Sequence, residues 1–239
     1  MEIVTYDQAV RNRRKHTLSN GTTYWKSEYL QLENVIQGEY PQCFLVEQAP
    51  NSTIRPHFHR VDQFQVIVKG EGKFGSQDVR PITVQYADGY KPYGPIIAEE
   101  KSLHYFTIRA ETDYGANFMP EQRDILKKGK KNSYLVKNLD LIPNLLQQPQ
   151  PVQTTLIPSL ENGLAAYKLT LGSNQQQECP PAKNTNGQYI LIINGSAIFN
   201  HKKLGNLTSI FVHPSDNSFT LRSTIEGTEA LVLNFPKKR

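Results

Sequence analysis

Two histidines, His57 and His59, stand two residues apart in the run Arg55-Pro-His-Phe-His-Arg-Val-Asp-Gln63-Phe-Gln-Val-Ile-Val-Lys-Gly70. In an extended chain, residues two apart project from the same face, so both imidazoles can reach one ion or ligand without a helix to bring them together. Neutral imidazoles suit Fe, Ni, Zn and Cu, and suit Mn less well. Gln63, four residues beyond His59, offers a carboxamide oxygen. That oxygen carries no charge, so it is a weaker donor to a divalent cation than a carboxylate. Tyr93 and His104 are the further groups that could complete a metal sphere. Asp62 and Gln65 flank Gln63, and any of these polar side chains that face an interior need partners.

The elements that must position these groups are strands. The β-forming residues of 64–68 stop at Gly70, which supplies the backbone freedom for a turn into 73–75. Further β-forming runs occupy 43–47, 79–86 and 102–109, separated by Gly, Pro, Asn and Asp. Tyr29, Leu30, Leu32 and Ile36 continue an apolar pattern without a clear period. Short strands with turn residues between them and little helical periodicity indicate a sandwich or barrel. Residues 120–152 interrupt this pattern with a briefly helical start, a lysine cluster (Lys127, Lys128, Lys130, Lys131) and the Gln/Pro-rich run 144–152.

Beyond that interruption the pattern returns as a repeat. Tyr189-Ile-Leu-Ile-Ile-Asn-Gly195 resembles Phe64-Gln-Val-Ile-Val-Lys-Gly70, an offset of 125 positions between the two glycines. At the same offset Pro56 meets Pro181, Gln63 meets Gln188, Phe74 meets Phe199, and 105–109 meets 230–234 without a gap. His57 meets Ala182 and His59 meets Asn184, so the second copy lacks the imidazoles.

The spacing His-x-His, three residues, a ligand position, six residues, Gly is similar to the first motif of the cupins, which are jelly-roll β-barrels. It places His57, His59, Gln63 and Gly70 at the motif positions, with Gln63 where most metal-binding cupins carry Glu. Pro92-Tyr93-Gly94 resembles part of the second motif, whose histidine position falls on Ile97. The resemblance implies an all-β chain of two tandem jelly-roll barrels, a bicupin. The expected divisions are 1–119 for an N-terminal barrel, 120–152 for a linker and 153–239 for a degenerate C-terminal barrel. It also implies a divalent transition metal (Fe, Mn, Ni, Cu or Zn) at His57, His59 and Gln63; Tyr93 and His104, neither at a family ligand position, are the weaker candidates.

Composition bounds the remainder. Apolar residues make up 38% of the 239, and twelve tyrosines, ten phenylalanines and one tryptophan supply material for real cores. No apolar run approaches the roughly 20 residues that span a bilayer, and the first residues carry acids and no apolar core of a signal peptide, so a cytoplasmic location is the default expectation. Two cysteines, Cys43 and Cys179, are too few for a disulfide scaffold. A net charge of +5 permits weak contact with anions and does not point to nucleic acid. Sheet edges leave a monomer or a homodimer open. No Gly-rich phosphate loop, nucleophile elbow or Cys-x-x-Cys pair is present. Two functional classes follow. One is an enzyme whose metal binds O₂ and a chelating substrate, as in cupin dioxygenases, or polarises a carbonyl in an isomerisation. The other is a bicupin that binds a small molecule without catalysis. A third metal ligand beside His57 would discriminate them.

Overall fold

Strands dominate wherever β-branched and aromatic residues cluster, and the turns between them fall at Gly, Asn and Asp. The computed structural model describes residues 1–18, 21–30 and 40–238. Leu32, Ile36 and Arg239 lie outside the described residues. Among the described residues no helix is long and apolar enough to cross a membrane. The chain divides into two compact units, Ala9–Asp140 and Met1–Gln8 with Leu141–Arg239.

The chain opens on β1 (Glu2–Val4), which belongs to the second unit. The first unit contains β2 (Arg14–Thr17), β3 (Thr23–Leu30), β4 (Gln42–Gln48), β5 (Thr53–Ile54), β6 (His57–Phe58) and β7 (Gln63–Lys69). It continues with β8 (Gly72–Phe74), β9 (Gln77–Val79), β10 (Thr83–Ala87), β11 (Ile96–Ala98), β12 (Leu103–Arg109), β13 (Asn117–Phe118) and β14 (Ser133–Val136). The second unit adds β15 (Val152–Ile157), β16 (Ala165–Leu171), β17 (Gln176–Glu178), β18 (Gln188–Phe199), β19 (Lys202–Leu204), β20 (Ser209–Val212) and β21 (Thr220–Asn234).

Among the described residues, the first unit has a main antiparallel sheet in the order β14-β10-β7-β12-β4-β3-β2, with a smaller sheet β5-β11-β8-β9 and the pair β13-β6. The second has the order β1-β20-β18-β21-β16-β15, with β17 on β21 and β19 on β18. The architecture is all-β, two jelly-roll barrels in tandem. The stretch 120–140 belongs to the first unit. Within it, Ser133-Tyr-Leu-Val136 is a β-forming run, and it pairs with β10.

The offset of 125 positions holds in the strand registers. On β12 and β7, Phe106 faces Val66 and Ile108 faces Phe64; on β21 and β18, Leu231 faces Leu191 and Leu233 faces Tyr189. The same register slip follows in both, with His104 opposite Lys69 and Glu229 opposite Asn194. Gly70 follows the last pair of the first ladder, and Gly195 pairs with Thr228 just past the slip in the second, with φ of +85° and +66°. A Cβ at Gly70 would lie 1.9 Å from the Ser102 carbonyl oxygen, and one at Gly195 would lie 2.2 Å from the Gly227 carbonyl oxygen. Both positions therefore require glycine twice over, by backbone conformation and by close approach.

The inner faces of the two main sheets differ in chemistry. Directly opposed residues of antiparallel strands project to the same side. One inner row of the first unit reads Gln85, Gln65, Thr107, Phe44 across β10, β7, β12 and β4. The corresponding row of the second unit reads Ile210, Ile190, Val232, Tyr167. In the second unit this row joins a closed apolar core with Leu169, Ile192, Ala197 and Ala230.

Candidate ligand pocket of the N-terminal barrel

His57 begins to build the site. Its backbone bridges Tyr93 in both directions, His57 N–H to Tyr93 O at 3.1 Å and Tyr93 N–H to His57 O at 3.0 Å. This contact brings the Tyr93 ring to 4.6 Å from the His57 ring and 6.4 Å from that of His59. His57 Nδ1 lies 2.7 Å from the Arg55 carbonyl oxygen. A carbonyl cannot donate, so Nδ1 carries the proton and Nε2 holds a lone pair. His59 Nδ1 lies 2.5 Å from Asp113 Oδ2. Burial pushes the Asp113 carboxyl up, but the bond from His59 and the Arg109 guanidinium outweigh this and hold it below its usual range. It is a carboxylate, so His59 Nδ1 also donates and Nε2 is again the lone-pair nitrogen. Among the described residues neither Nε2 has a hydrogen-bond partner.

Both imidazoles are neutral near pH 7. Burial lowers His57 to about 4, against its bond to Arg55 O and with the help of the Arg109 charge. Burial followed by the Arg109 charge lowers His59 to about 3. Burial likewise pushes the Tyr93, Tyr24 and Tyr105 phenols above their usual value, so these hydroxyls stay protonated.

His57, His59 and Tyr93 line a cavity of about 510 Å³. Its apolar wall includes Leu18, Phe44, Val46, Ile54, Ile96 and Phe118; its polar groups include Gln65, Thr107, Arg109, Lys26 and Asp113. The volume is that of ordinary small-molecule sites. Ile96, not Ile97, faces this cavity; Ile97 lines a separate surface depression with Glu71 and Glu99. His104 does not line the cavity. It neighbours Tyr105, which does, and its Nε2 pairs with Ser102 Oγ at 2.9 Å.

Gln63 is 1% exposed, and both ends of its amide are engaged. Its oxygen accepts from Arg109 Nε at 3.1 Å and Nη2 at 3.0 Å, and its NH₂ donates to the Tyr93 hydroxyl. The second barrel repeats this tie, since Gln188 Nε2 donates to Asn234 Oδ1 at 2.8 Å and Asn234 is the counterpart of Arg109. Glutamine at this position thus knits strands together in both barrels. Asp62 turns away to accept from Gly89 N–H at 2.7 Å.

A resident transition metal needs donors and charge balance. His57 and His59 supply two imidazole nitrogens, each oriented by a bond at the other nitrogen, as metal-binding histidines are. Among the described residues no group of three His, Cys, Asp or Glu side chains is placed to hold a metal. The Gln63 oxygen is committed to Arg109. The guanidinium charge that depresses both histidine pKa values would oppose a dication at the same nitrogens. The donor set fits half of a metal centre.

Three participants lay outside the motif. Arg109, 3% exposed, is opposite Gln42 on β4 and bonds its amide oxygen. Asp113 is fixed by His59, by Arg60 N–H at 3.3 Å and by Gly115 N–H at 3.2 Å. Gln65 is 3% exposed, and its Oε1 has no hydrogen-bond partner among the described residues. The repeat carried a signal for Gln65 alone, because its counterpart is Ile190.

Both cysteines are buried thiols, and burial pushes Cys179 up to about 12.

No family profile and no curated protein sequence matches this chain. Solved structures do. The bacterial pirin YhhW from Escherichia coli, in complex with nickel(II), matches with a TM-score of 0.61 at 9% identity over 99% of both chains. A mutant of Bacillus subtilis oxalate decarboxylase OxdC matches with a TM-score of 0.60 at 11% identity, over 100% of this chain and 78% of that one. The 7S globulin of Momordica charantia matches with a TM-score of 0.56 at 13% identity, over 95% and 83%. At these identities the likeness is one of fold, an all-β jelly-roll architecture.

Proposed function

We propose that this chain is a bicupin whose N-terminal barrel binds a small molecule and whose C-terminal barrel is a structural copy. The observation that carries this reading is the inner row of the sheets. At equal register one barrel has Gln85, Gln65 and Thr107 where the other has Ile210, Ile190 and Val232. The fold closes with aliphatic residues there, so polar ones are not needed to build it. Buried polar groups cost free energy unless paired. The retention of Gln65 and Thr107 on the wall of a cavity with two oriented, neutral imidazoles supports recognition of a ligand.

The test is a ligand-observed NMR fragment screen on the full chain beside the triple variant Gln65→Ile, Gln85→Ile, Thr107→Val, which writes the sealed row into the open barrel. Hits lost in the variant support the pocket. An unchanged hit list in a folded variant overturns it.

A second reading has one observation in its favour, the anchored Nδ1 atoms of His57 and His59. A metal held by these two nitrogens, with its remaining positions filled by substrate or water, would make the barrel an oxidoreductase of the dioxygenase type or an isomerase. Metal analysis of tag-free protein beside the His57→Ala, His59→Ala variant separates the two. Near-stoichiometric metal that disappears in the variant favours the metal site. Metal-free protein that resists reconstitution leaves the binding reading in place.

A further inference from the structure

The N-terminal pocket has a polarity of its own. Its cations are matched by carboxylates: Arg109 Nη1 lies 3.9 Å from Asp113 Oδ2, and Lys26 Nζ lies 2.6 Å from Glu28 Oε1. Its histidines and tyrosines are neutral for the reasons given above. Among the groups the interior leaves unmatched are three acceptors, Nε2 of His57, Nε2 of His59 and Oε1 of Gln65, beside the protonated hydroxyls of Tyr24, Tyr93 and Tyr105, which can donate or accept. The Gln65 oxygen is the most telling of the three. It is buried and unpaired, on a strand whose neighbours Gln63 and Phe64 are fully packed. Other buried side-chain atoms also go unpaired, Gln188 Oε1 in the second barrel among them, but Gln65 Oε1 belongs to a residue that lines the cavity, where a donor supplied from outside can meet it. The walls around it are flat and apolar, with Phe44, Tyr93 and Phe118 among them.

We infer that the pocket takes a neutral ring compound bearing a hydroxyl, and that this hydroxyl donates to Gln65 Oε1, which makes Gln65 the residue that sets specificity. The inference rests on the small-molecule reading of the same barrel. An organic anion would gain less, since it would have to compete with Asp113 for Arg109 and would face three lone pairs. A hydroxyl-free ring would leave Gln65 unpaired. A ring with a hydroxyl satisfies the acceptor, lays its faces on the aromatic walls and adds no charge to an interior that is already balanced.

Three probes of one ring system test this by titration calorimetry on the full chain: 2-naphthol, 2-methoxynaphthalene and 2-naphthoate. The first donates a hydrogen bond, the second does not, and the third is an anion. The expected order has 2-naphthol about 10-fold tighter than 2-methoxynaphthalene, the scale of one buried hydrogen bond, with 2-naphthoate weakest. In Gln65→Met, close in length but without the carbonyl, 2-naphthol should fall to the level of 2-methoxynaphthalene, whose own affinity should stay within about 2-fold. If 2-methoxynaphthalene binds as well as 2-naphthol, or if Gln65→Met keeps the preference, the inference fails and the pocket reading stands. Tightest binding by 2-naphthoate also overturns it, in favour of an anion site at Arg109. Binding of none of the three removes both the inference and the pocket beneath it.

Discussion

His59 and Asp113, 54 residues apart in the chain, meet in the barrel wall with Nδ1 and Oδ2 separated by 2.5 Å. The carboxylate collects three N–H groups, from the His59 ring, Arg60 and Gly115, and so holds the ring in one tautomer. Asp113→Asn keeps one acceptor oxygen but turns an NH₂ toward a backbone N–H, of Arg60 or of Gly115, that can only donate. The variant should lose about 1–3 kcal/mol of stability, the cost of leaving buried donors unpaired. Its His59 should also populate both tautomers. Nitrogen-15 correlation spectra of the imidazole read this directly: a single Nδ1–H form in the native protein, mixed forms in Asp113→Asn. An unchanged spectrum would mean that the carboxylate does not orient the ring.

The low histidine pKa values give a pH dependence whose sign is fixed. The ordinary value is 6.5, and the folded values are about 4 for His57 and about 3 for His59. Between 6.5 and 4 the unfolded chain takes up protons that the folded chain refuses. Stability from these two groups is therefore complete above 6.5 and declines as pH falls, by up to about 1.4 kcal/mol per unit for each imidazole. Asp113, with its pKa depressed, contributes stability that is lost only at lower pH, as the solution passes through its folded value. Urea midpoints between pH 7.5 and 4.5, taken in EDTA, should fall steadily. The His57→Gln, His59→Gln variant should flatten the curve, leaving the smaller slope of His16 and His104, whose pKa values burial also lowers.

The two equivalent glycines make a paired prediction. Gly70→Ala and Gly195→Ala each add a Cβ that would lie within about 2 Å of a carbonyl oxygen, at φ of +85° and +66°. The backbone conformation alone costs a non-glycine residue about 1–3 kcal/mol, and the close approach adds to it. Both substitutions should be strongly destabilising in thermal melts. Gly21→Ala has nothing within 4 Å of its Cβ, shares the positive φ, and should cost less. Equal effects at all three would mean that close approach is not what fixes Gly70 and Gly195.

These two glycines also mark what the amino-acid sequence makes legible. The repeat of 64–70 in 189–195 is visible because a strand ending in glycine is a local pattern, and the structure keeps its register. That His57 and His59 share one cavity wall follows from their spacing. Strand facing was harder to read. Leu103, Tyr105, Phe106 and Ile108 are all buried, so β12 shows no clean alternation, and a register slip sits between His104 and Tyr105. The direction of His104 was therefore hidden. Arg109 and Asp113 were hidden for a different reason. Gln63 meets Arg109 across 46 positions and His59 meets Asp113 across 54, distances that only strand pairing closes. No spacing rule would have revealed that the Gln63 amide was already spoken for.

Gln65 offers the sharpest test of the division between the two barrels, because stability and binding should move in opposite directions. Its oxygen is buried without a partner, while Ile190 at the same register is fully packed. An unpaired buried acceptor costs about 1–3 kcal/mol, and the aliphatic counterpart already fits this strand pairing in the second barrel. Gln65→Ile should therefore leave the free protein as stable as the native chain or more so, by up to about 2 kcal/mol, with a raised melting temperature. The reverse exchange, Ile190→Gln, places an unsatisfied amide in a closed apolar core and should cost about 2–5 kcal/mol. A pair of thermal melts decides the matter. Destabilisation by both exchanges would show that Gln65 is part of how the first barrel folds. A gain at one position and a loss at the other would show that the first barrel keeps its polar row at the expense of stability, which is the expected signature of a residue retained for what it binds.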